Sequence, residues 1–274
     1  MKNNKILVIF TGGTIGSIKS NRIIAPNMQT GYELIERYYK SHSQNELSFM
    51  ARQPLCVLSE NIVPDNWLMI AKSLEDAKEF LGVIIAHGTD TLPYTAAALS
   101  YLFSNIAVPV VLTGSNYPLA DPRSEGMRNF SAAVDFIQTL QLPGIYVSFE
   151  NNQGNSIIHL GSRLMQATTF TDVFSSLGDA YFGCMKNGRF YWHDHPYNPP
   201  HDSIHPAEPQ ISINDAAFSN EILYICPQPG LVYDYFLSGS KKPLAILHGL
   251  YHSGTACTNP DKISFSILNF IKKA

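Results

Sequence analysis

Short apolar runs alternate along the first two thirds of the chain with segments whose apolar positions recur every three or four residues. A continuous apolar run favours a buried strand, and the three-to-four spacing favours a helix. The strands predicted in this way are Lys5–Phe10, Gly82–Ala86, Val108–Thr113 and Gly144–Phe149, and the helices are Gly31–Lys40, Pro64–Phe80, Thr91–Phe103 and Ser124–Leu140. This alternation predicts an α/β fold whose parallel sheet is covered on both faces.

The composition changes near residue 188, and residues 189–209 are rich in Pro, His, Asn and Asp, which is typical of a linker. Two further strand–helix units follow, at Glu221–Cys226, Gly230–Leu237, Pro243–His248 and Pro260–Lys273. We therefore predict a large N-terminal α/β domain over residues 1–188, a linker over 189–209 and a smaller C-terminal α/β domain over 210–274. A second sheet with only two strands is marginally stable by itself, so we expect it to pack against the first domain or against another subunit.

Composition and charge narrow the class of protein. Of 274 residues, 45% are hydrophobic and 15% are charged, which is typical of a globular chain. The net charge is -3 and no stripe of Lys or Arg is present, so we expect no binding of nucleic acid. No apolar run approaches the ~20 residues that span a bilayer, and the N-terminus lacks a signal-peptide pattern. The chain is therefore predicted to be cytoplasmic and independent of a membrane.

Two threonine motifs carry the candidate chemistry. Thr-Gly-Gly-Thr occupies residues 11–14, directly after the first predicted strand, and His-Gly-Thr-Asp-Thr occupies residues 87–91, directly after the second. Ligands of open α/β sheets bind outside the carboxyl ends of the strands. We therefore expect the hydroxyls of Thr14 and Thr89 to face each other across one cleft, where either could attack a carbonyl carbon. Asp90 would act as the acid/base partner, and the backbone N–H groups around Gly13 and Gly88 would hold the oxyanion.

These motifs together resemble the bacterial-type L-asparaginase family. A third motif, Val-Leu-Thr-Gly-Ser at residues 111–115, follows in the family order, and weaker matches lie at residues 64–67, at 124–129 and in the loop at 252–255. Members of the family hydrolyse asparagine, and often glutamine, with two threonines and without a metal or an organic cofactor. The resemblance therefore implies a hydrolase of amino-acid metabolism that needs no cofactor. It also implies a homodimer or homotetramer, because each family site is completed by a second subunit.

The resemblance assigns further residues to the substrate. Ser59 matches the serine that grips the α-carboxylate, and Glu60 matches its neighbour that contacts the α-amino group. Gly13, Gly88 and Ser115 are predicted to line the same site. No metal ligand is predicted among the site residues.

The sequence departs from the family pattern at three places. Ile24 stands about where the family has a lid tyrosine, and Gln166, or Met165 if the gap falls differently, stands where the family has a lysine that pairs with the aspartate. No lysine occurs between Lys78 and Lys186. The C-terminal domain is also shorter than is usual in the family. Losing one general base costs roughly 10²- to 10⁴-fold in rate, so the chain is expected to hydrolyse amides slowly, to act on a different amide, or to bind an amino acid without turnover.

Several plainer interpretations stay open at this point. The motif at residues 11–14 also fits a tight turn, or a nucleotide loop in which Thr11 replaces the first glycine. Asp90 fits a helix N-cap, and His87 fits a buried histidine that only binds backbone. The residues His193, His195, His201 and His205 form a tract that could hold zinc, although its prolines favour a solvated loop. The four cysteines are predicted to be reduced, with Cys257 as an alternative nucleophile.

Overall fold

The computed structural model describes residues 4–20, 23–26, 30–43, 46–151, 153–206, 208, 216–237 and 242–274. Its strands are β1 (Lys5–Phe10), β2 (Ser17–Ser20), β3 (Ile23–Pro26), β4 (Ser48–Arg52), β5 (Gly82–Ala86), β6 (Pro109–Thr113), β7 (Gly144–Glu150), β8 (Ser156–Leu160), β9 (Leu164–Met165), β10 (Ser175–Ser176), β11 (Gly183–Lys186), β12 (Arg189–Trp192), β13 (Ile222–Ile225) and β14 (Ala245–His248). Its α-helices are α1 (Thr30–Ser41), α2 (Pro64–Lys72), α3 (Leu92–Leu102), α4 (Gly126–Leu140) and α5 (Ile267–Lys273).

The chain divides into two compact units, residues 1–217 and 218–274. The first contains an eight-stranded sheet in the order β12-β11-β8-β7-β6-β5-β1-β4. Its strands β4, β1, β5, β6 and β7 run parallel, and β8, β11 and β12 are antiparallel additions at one edge. This mixed α/β architecture confirms the predicted fold class.

Both faces of the central parallel strands β1, β5, β6 and β7 are buried, which explains why these strands are apolar at successive positions rather than at alternate ones. On one face, side chains of α1 and α4 such as Leu34 and Phe130 form one core cluster with Val8 and Ile84. On the other face, α3 packs against β6 and β7, and α2 packs against α3. The core therefore holds β1, β5 and β6 in place while the loops at their carboxyl ends remain available for chemistry.

Two predicted elements differ from the structure in the first unit. The helix expected over Pro64–Phe80 ends at Lys72, because the Arg52 guanidinium binds the Ser73 carbonyl at 3.0 Å and both Asp76 carboxylate oxygens at 2.6 Å, which holds this segment in a turn. Arg189–Trp192 forms an edge strand, where the sequence predicted the start of a linker. The proposed boundaries at residues 188 and 209 stay predictions.

The second unit is small. Strands β13 and β14 pair in parallel, and Ile225, Tyr233 and Phe270 form its buried cluster. The helix predicted at Gly230–Leu237 is a 3₁₀ turn, Tyr233–Phe236, and the helix predicted at Pro260–Lys273 contains only α5 and the 3₁₀ turn Ile263–Phe265. In the part of the chain that the structure describes, no helix combines the length and the apolar character that a bilayer crossing requires.

Candidate active site

The two threonine motifs leave the sheet side by side. Strands β1 and β5 are parallel neighbours, with Phe10 opposite Ala86, so the loops that follow them start at the same edge. Both the backbone N–H and the hydroxyl of Thr11 donate to the Ala86 carbonyl at 3.1 Å. Thr11 is therefore a structural bond between the loops and is not available as a nucleophile.

Gly13 and Gly88 bring the two loops into direct backbone contact. Gly13 has φ 72°, and a Cβ built on it would lie 2.4 Å from both the Cα and the N atom of Gly88. Only glycine fits this contact, because any side chain would collide with backbone. The contact places the backbone segments that carry Thr14 and Thr89 next to each other, as the sequence predicted for the two motifs. That the two hydroxyls face one another stays a prediction.

A third loop joins this contact. Val57 exchanges backbone hydrogen bonds with the first motif, donating to Thr11 at 3.0 Å and accepting from Gly13 at 2.9 Å. The 3₁₀ turn that follows, Ser59–Asn61, then lies against the second motif. The Thr91 hydroxyl donates to the Ser59 carbonyl at 2.9 Å, which docks this turn on the start of α3.

The Ser59 hydroxyl points at the Asp90 loop. Ser59 is 3% exposed, and its Oγ accepts the Asp90 backbone N–H at 3.2 Å. A Cβ on Gly88 would lie 2.5 Å from this oxygen. The predicted site residues Gly13, Gly88, Ser59 and Asp90 therefore meet in one place, and Ser59 already uses its hydroxyl to hold Asp90.

The Asp90 carboxyl has a pKa above its usual value. Partial burial is the largest cause, followed by the negative charge of Glu60 and a hydrogen bond with the Glu60 side chain, while the hydrogen bond from Ser59 opposes the rise. A higher pKa makes this carboxylate a better proton acceptor than an ordinary aspartate. Glu60 and Asp90 are thus neighbours across the two loops.

The hydroxyls at this edge fall into two groups. The Ser17 hydroxyl donates to the Gly13 carbonyl of its own loop at 2.6 Å, and the Thr91 hydroxyl donates to the Ser59 carbonyl of the third loop at 2.9 Å; the Thr11 hydroxyl is engaged with the Ala86 carbonyl. Those of Thr14 and Thr89 are half-buried and have no hydrogen-bond partner among the described residues. We call Thr14, Thr89 and Asp90 the threonine edge. Its two unengaged hydroxyls are the ones that chemistry could use.

The buried side chain of His87 holds the backbone of the loop that carries Thr89 and Asp90. It is fully buried, its Nδ1 lies 2.7 Å from the Gly88 carbonyl and its Nε2 lies 2.9 Å from the Thr95 hydroxyl, which also accepts the Trp67 indole N–H at 3.0 Å. Burial lowers the pKa of His87 to about 4, so the ring is neutral near pH 7. A neutral ring must then donate from Nδ1 to Gly88 and accept from Thr95 at Nε2. His87 is a backbone-binding core histidine.

Ser115 lies in a separate network. Its hydroxyl is fully buried, donates to the Tyr117 carbonyl at 2.6 Å and lies 3.0 Å from the Ser124 hydroxyl and 3.3 Å from a Glu125 carboxylate oxygen. The other Glu125 oxygen accepts the Asn116 N–H at 2.6 Å. We call Ser115, Asn116, Ser124 and Glu125 the Glu125 network. The hydroxyl of Ser115 is engaged inside it, so a substrate role for Ser115 would fall to its main chain.

The main chain beside Ser115 does reach the threonine edge. A Cβ on Gly114 would lie 2.7 Å from the His87 carbonyl and 3.6 Å from Thr89 Cγ2. Asn129 of α4 donates to the Gly114 carbonyl at 2.9 Å and accepts the Glu150 N–H at 2.8 Å. Sequence reasoning noted Glu125 and Asn129 only as weak motif matches and did not predict that they support this loop. The signal that could have revealed this role is the presence of two polar residues on the buried side of a predicted helix.

Gln166 lies at the second motif. Its side-chain amide donates to the Asp90 carbonyl at 2.9 Å, whereas Met165 is 44% exposed. Of the two alternatives that the sequence left open, Gln166 is therefore the residue that faces Asp90. Arg163 is used elsewhere, since it donates to the Tyr197 carbonyl. The side chain of Ile24 lies outside the described residues.

Other candidate sites involve different residues. No group of three or more His, Cys, Asp or Glu side chains within the described residues could hold a metal ion. In the predicted histidine tract, His193 stacks on Tyr181 and His201 stacks on Trp192. A cavity of about 350 Å³ is present in the second unit, where Tyr233, Tyr251, Cys257 and Lys262 are among its lining residues.

Comparison with known proteins gives one consistent family. Residues 5–198, more than half of the chain, match the family model described as the N-terminal part of asparaginase. The L-asparaginase of Thermococcus kodakarensis is 33% identical over 187 residues, which is 64% of this chain and 54% of that protein. Its solved structure superimposes with a TM-score of 0.79 at 27% identity, covering 97% of this chain and 76% of that one.

A second kind of relative is also similar. One component of the glutamyl-tRNA(Gln) amidotransferase of Sulfolobus acidocaldarius is 29% identical over 241 residues, which is 85% of this chain and 52% of that protein. The chain thus spans about half the length of these curated relatives.

Proposed function

Since this chain belongs to the asparaginase family, we propose that it hydrolyses the side-chain amide of L-asparagine to aspartate and ammonia. The observation that carries the proposal is the Gly13–Gly88 contact, which brings together two loops whose threonine hydroxyls are unengaged. L-Glutamine is one methylene longer and is the second substrate to test.

The proposed reaction has two stages. In the first, the hydroxyl of Thr14 or Thr89 attacks the amide carbon and its proton passes to Asp90; Asp90 then gives this proton to the amide nitrogen, and the C–N bond breaks as ammonia leaves. In the second, water attacks the resulting ester and restores the threonine hydroxyl. Backbone N–H groups around Gly13 and Gly88 would stabilise the oxyanion in both stages, because bare glycine backbone permits close approach.

The amino-acid part of the substrate would bind through the third loop. Glu60 and Asp90 offer negative charge to the α-ammonium group, and Ser59 would contact the α-carboxylate. Because Ser59 is buried and bound to Asp90, its contribution would come with a rotation of its hydroxyl or through its backbone. We further propose that the site is completed by a second copy of the chain, in a homodimer or homotetramer, which light scattering would test.

We expect the proposed amide hydrolysis to be slow. Gln166 meets Asp90 with a neutral amide, and the threonine proton therefore has no lysine to receive it at that position. A positioned general base contributes roughly 10²- to 10⁴-fold, so we expect turnover to be slower by about that factor than with a lysine there.

A second candidate function is the amidase part of an amidotransferase. The similarity to the archaeal amidotransferase component over 241 residues favours it. In that case the same threonine chemistry would release ammonia from a donor amide for use by a partner. The third interpretation, a homologue that binds an amino acid without turnover, is favoured by the neutral Gln166.

One experiment tests the hydrolase proposal against the binding-protein alternative. Ammonia release from L-asparagine and from L-glutamine is measured with the pure protein, with Thr14→Val and Thr89→Val, and with Thr139→Val as the matched control on an exposed position of α4. We expect the control to match the parent, and loss of the nucleophile to cost on the order of 10⁴-fold or more. Equal rates in the parent and both threonine variants would reject the proposal. Aspartate binding without ammonia release would instead favour the binding protein.

A further inference from the structure

A line of hydrogen bonds joins helices α2 and α3 to one peptide group of the second threonine motif. The Trp67 indole N–H donates to the Thr95 hydroxyl at 3.0 Å, and this hydroxyl lies 2.9 Å from His87 Nε2. The other ring nitrogen, Nδ1, lies 2.7 Å from the carbonyl oxygen of Gly88. Thr95 and His87 are fully buried, and Trp67 is partly buried. We call Trp67, Thr95 and His87 the His87 relay.

The donors of the His87 relay all point the same way. The Thr95 hydroxyl has one proton, and since its oxygen accepts from Trp67, that proton is available to His87 Nε2. Burial lowers the pKa of His87 to about 4, so the ring is neutral near pH 7. A neutral ring that accepts at Nε2 donates from Nδ1. The relay therefore ends as a hydrogen bond to the Gly88 carbonyl, and the Thr95 hydroxyl fixes the tautomer of the ring.

The Gly88 carbonyl and the Thr89 N–H belong to one peptide group. This peptide is trans, so its carbonyl and its N–H point in opposite directions. Because the carbonyl faces the buried ring, the Thr89 N–H is directed away from the ring. A hydrogen bond at the carbonyl also polarises the peptide group and strengthens its N–H as a donor. The His87 relay thus controls both the direction and the strength of this donor.

The Thr89 N–H is left without an acceptor among the described residues. The N–H groups on either side of this peptide are engaged: that of His87 donates to the Thr113 carbonyl at 2.8 Å, and that of Asp90 donates to the Ser59 hydroxyl at 3.2 Å. Thr89 is half-buried, so a ligand can reach its main chain. A preorganised and unpaired donor beside an unengaged hydroxyl is what stabilisation of an oxyanion requires.

We propose that Trp67, Thr95 and His87 are positioning residues for the proposed reaction. By holding the Gly88 carbonyl toward the buried ring, the relay aims the Thr89 N–H at the oxyanion of the tetrahedral intermediate. The inference rests on the proposed function for the reaction, and it serves either threonine as nucleophile because the donor is main chain. The relay residues act on the peptide group and not on the substrate. Their loss should therefore slow the chemical step and leave substrate binding in place.

Removal of the Thr95 hydroxyl tests the relay. Thr95→Val keeps the shape of the side chain but breaks the link to His87, so we expect kcat for L-asparagine to fall by about 10- to 10²-fold, less than the roughly 10²- to 10³-fold that loss of an oxyanion donor costs. KM and the Kd of L-aspartate should stay within about threefold of the parent values, because the interaction is made only in the transition state. Thr95→Ser keeps the hydroxyl and should restore most of kcat. Thr139→Val, at an exposed position of α4, is the matched control.

The tautomer of His87 gives a second readout that needs no turnover. Heteronuclear NMR of the histidine rings, with the His87 signals identified by their absence from His87→Gln, should show Nδ1 protonated and Nε2 bare in the parent. In Thr95→Val, the Nε2 signal should move to the position of a nitrogen that accepts no hydrogen bond. Trp67→Phe breaks the relay at its partly buried end and replaces Thr95→Val if that variant does not fold. Its kcat should fall by about 2- to 10-fold, and an unchanged kcat would then contradict the relay.

The outcomes separate the relay from the proposed function. A parent protein with the proton on Nε2, or a Thr95→Val variant whose kcat matches that of Thr139→Val, overturns the relay and leaves the proposed hydrolysis in place. Equal losses of kcat in Thr95→Val and Thr95→Ser, or aspartate binding that weakens in proportion to kcat, would also overturn it, because Thr95 would then act through packing alone. A parent that releases no ammonia rejects the proposed function and the oxyanion role together.

Discussion

The threonine edge and the Glu125 network lie on loops at the carboxyl ends of strands of the same sheet, yet they treat their polar groups in opposite ways. In the Glu125 network, one carboxylate oxygen accepts the Asn116 N–H, and the buried Ser115 hydroxyl donates to the Tyr117 carbonyl beside the other oxygen. At the threonine edge, two hydroxyls have no partner among the described residues, and Asp90 lies beside a second carboxyl.

This difference distinguishes polar groups that stabilise the fold from polar groups that are available to a ligand. Buried polar groups that are fully paired stabilise one loop conformation, and their loss costs stability. Polar groups that are left unengaged, or held next to like charge, cost stability and are retained where a ligand can satisfy them. Ser115 and Thr89 both come from short threonine- or serine-containing motifs, but only Thr89 belongs to the second kind.

The largest effect is expected where the two loops touch. Gly13→Ala places a Cβ 2.4 Å from Gly88 at a positive φ, so we expect a loss of roughly 3–5 kcal/mol of unfolding free energy and at least about 10²-fold of activity. Gly16→Ala is the matched control, because its Cβ would meet nothing within 4 Å. Urea denaturation and ammonia release measure both. Similar stability of the two variants would contradict the contact.

Acid should weaken the fold beneath the threonine edge. Burial lowers the pKa of His87 and of His159 to about 4, from an ordinary value of about 6.5. The folded state therefore resists protonation, so the stabilisation is full above about pH 6.5 and is lost as the pH falls toward 4, by at most about 3 kcal/mol for each ring.

Unfolding free energy against pH measures this loss. His159→Gln should make the slope between about pH 6.5 and about pH 4 shallower, whereas the exposed His205→Gln should leave it unchanged. Identical slopes in both variants would show that burial of His159 does not drive the acid sensitivity.

A cation added at the threonine edge should speed the proposed reaction. Gln166→Lys would place an ammonium group near Asp90, where it lowers the pKa of the carboxyl and offers a proton acceptor once it is deprotonated, so we expect about a 10²-fold rise in kcat. Met165→Lys is the control, since Met165 adjoins Gln166 in the chain, whereas only the Gln166 side chain donates to the Asp90 carbonyl among the described residues. The same rise in both variants, or in neither, would contradict the assigned position of Gln166. Steady-state ammonia release measures the effect.

The Glu125 network should respond in stability more than in activity. Glu125→Ala leaves the Asn116 N–H without its acceptor, at a cost of about 1–3 kcal/mol in unfolding free energy. Glu125→Gln keeps a carbonyl oxygen there and should restore part of that loss. Glu75→Ala controls for removal of an exposed carboxylate. If Glu125→Ala abolished activity at unchanged stability, the network would belong to the chemistry rather than to the architecture.

Strand prediction was most successful for strands that are buried on both faces, because such strands are apolar at almost every position. Strands β1, β5, β6 and β7 are near-continuous apolar runs, and the structure confirms them within about two residues. The edge strand β4 and the antiparallel strands β8 and β11 were not predicted, because a half-covered strand carries mixed residues whose pairing is decided by distant partners. The early end of α2 likewise depends on Arg52, which lies outside the local pattern.

The amino-acid sequence by itself determined the parallel α/β architecture and which loops carry threonine, glycine and aspartate, because burial and strand-end motifs are local properties of the chain. Only the tertiary structure decided which of those groups are engaged. It paired Ser115 with Glu125, turned Ser59 toward Asp90, set Gln166 on the Asp90 carbonyl and left Thr14 and Thr89 unpartnered among the described residues. Hydrogen bonds between loops far apart in the chain depend on packing geometry within a few tenths of an ångström. The order and spacing of residue types along the sequence do not specify distances of that precision.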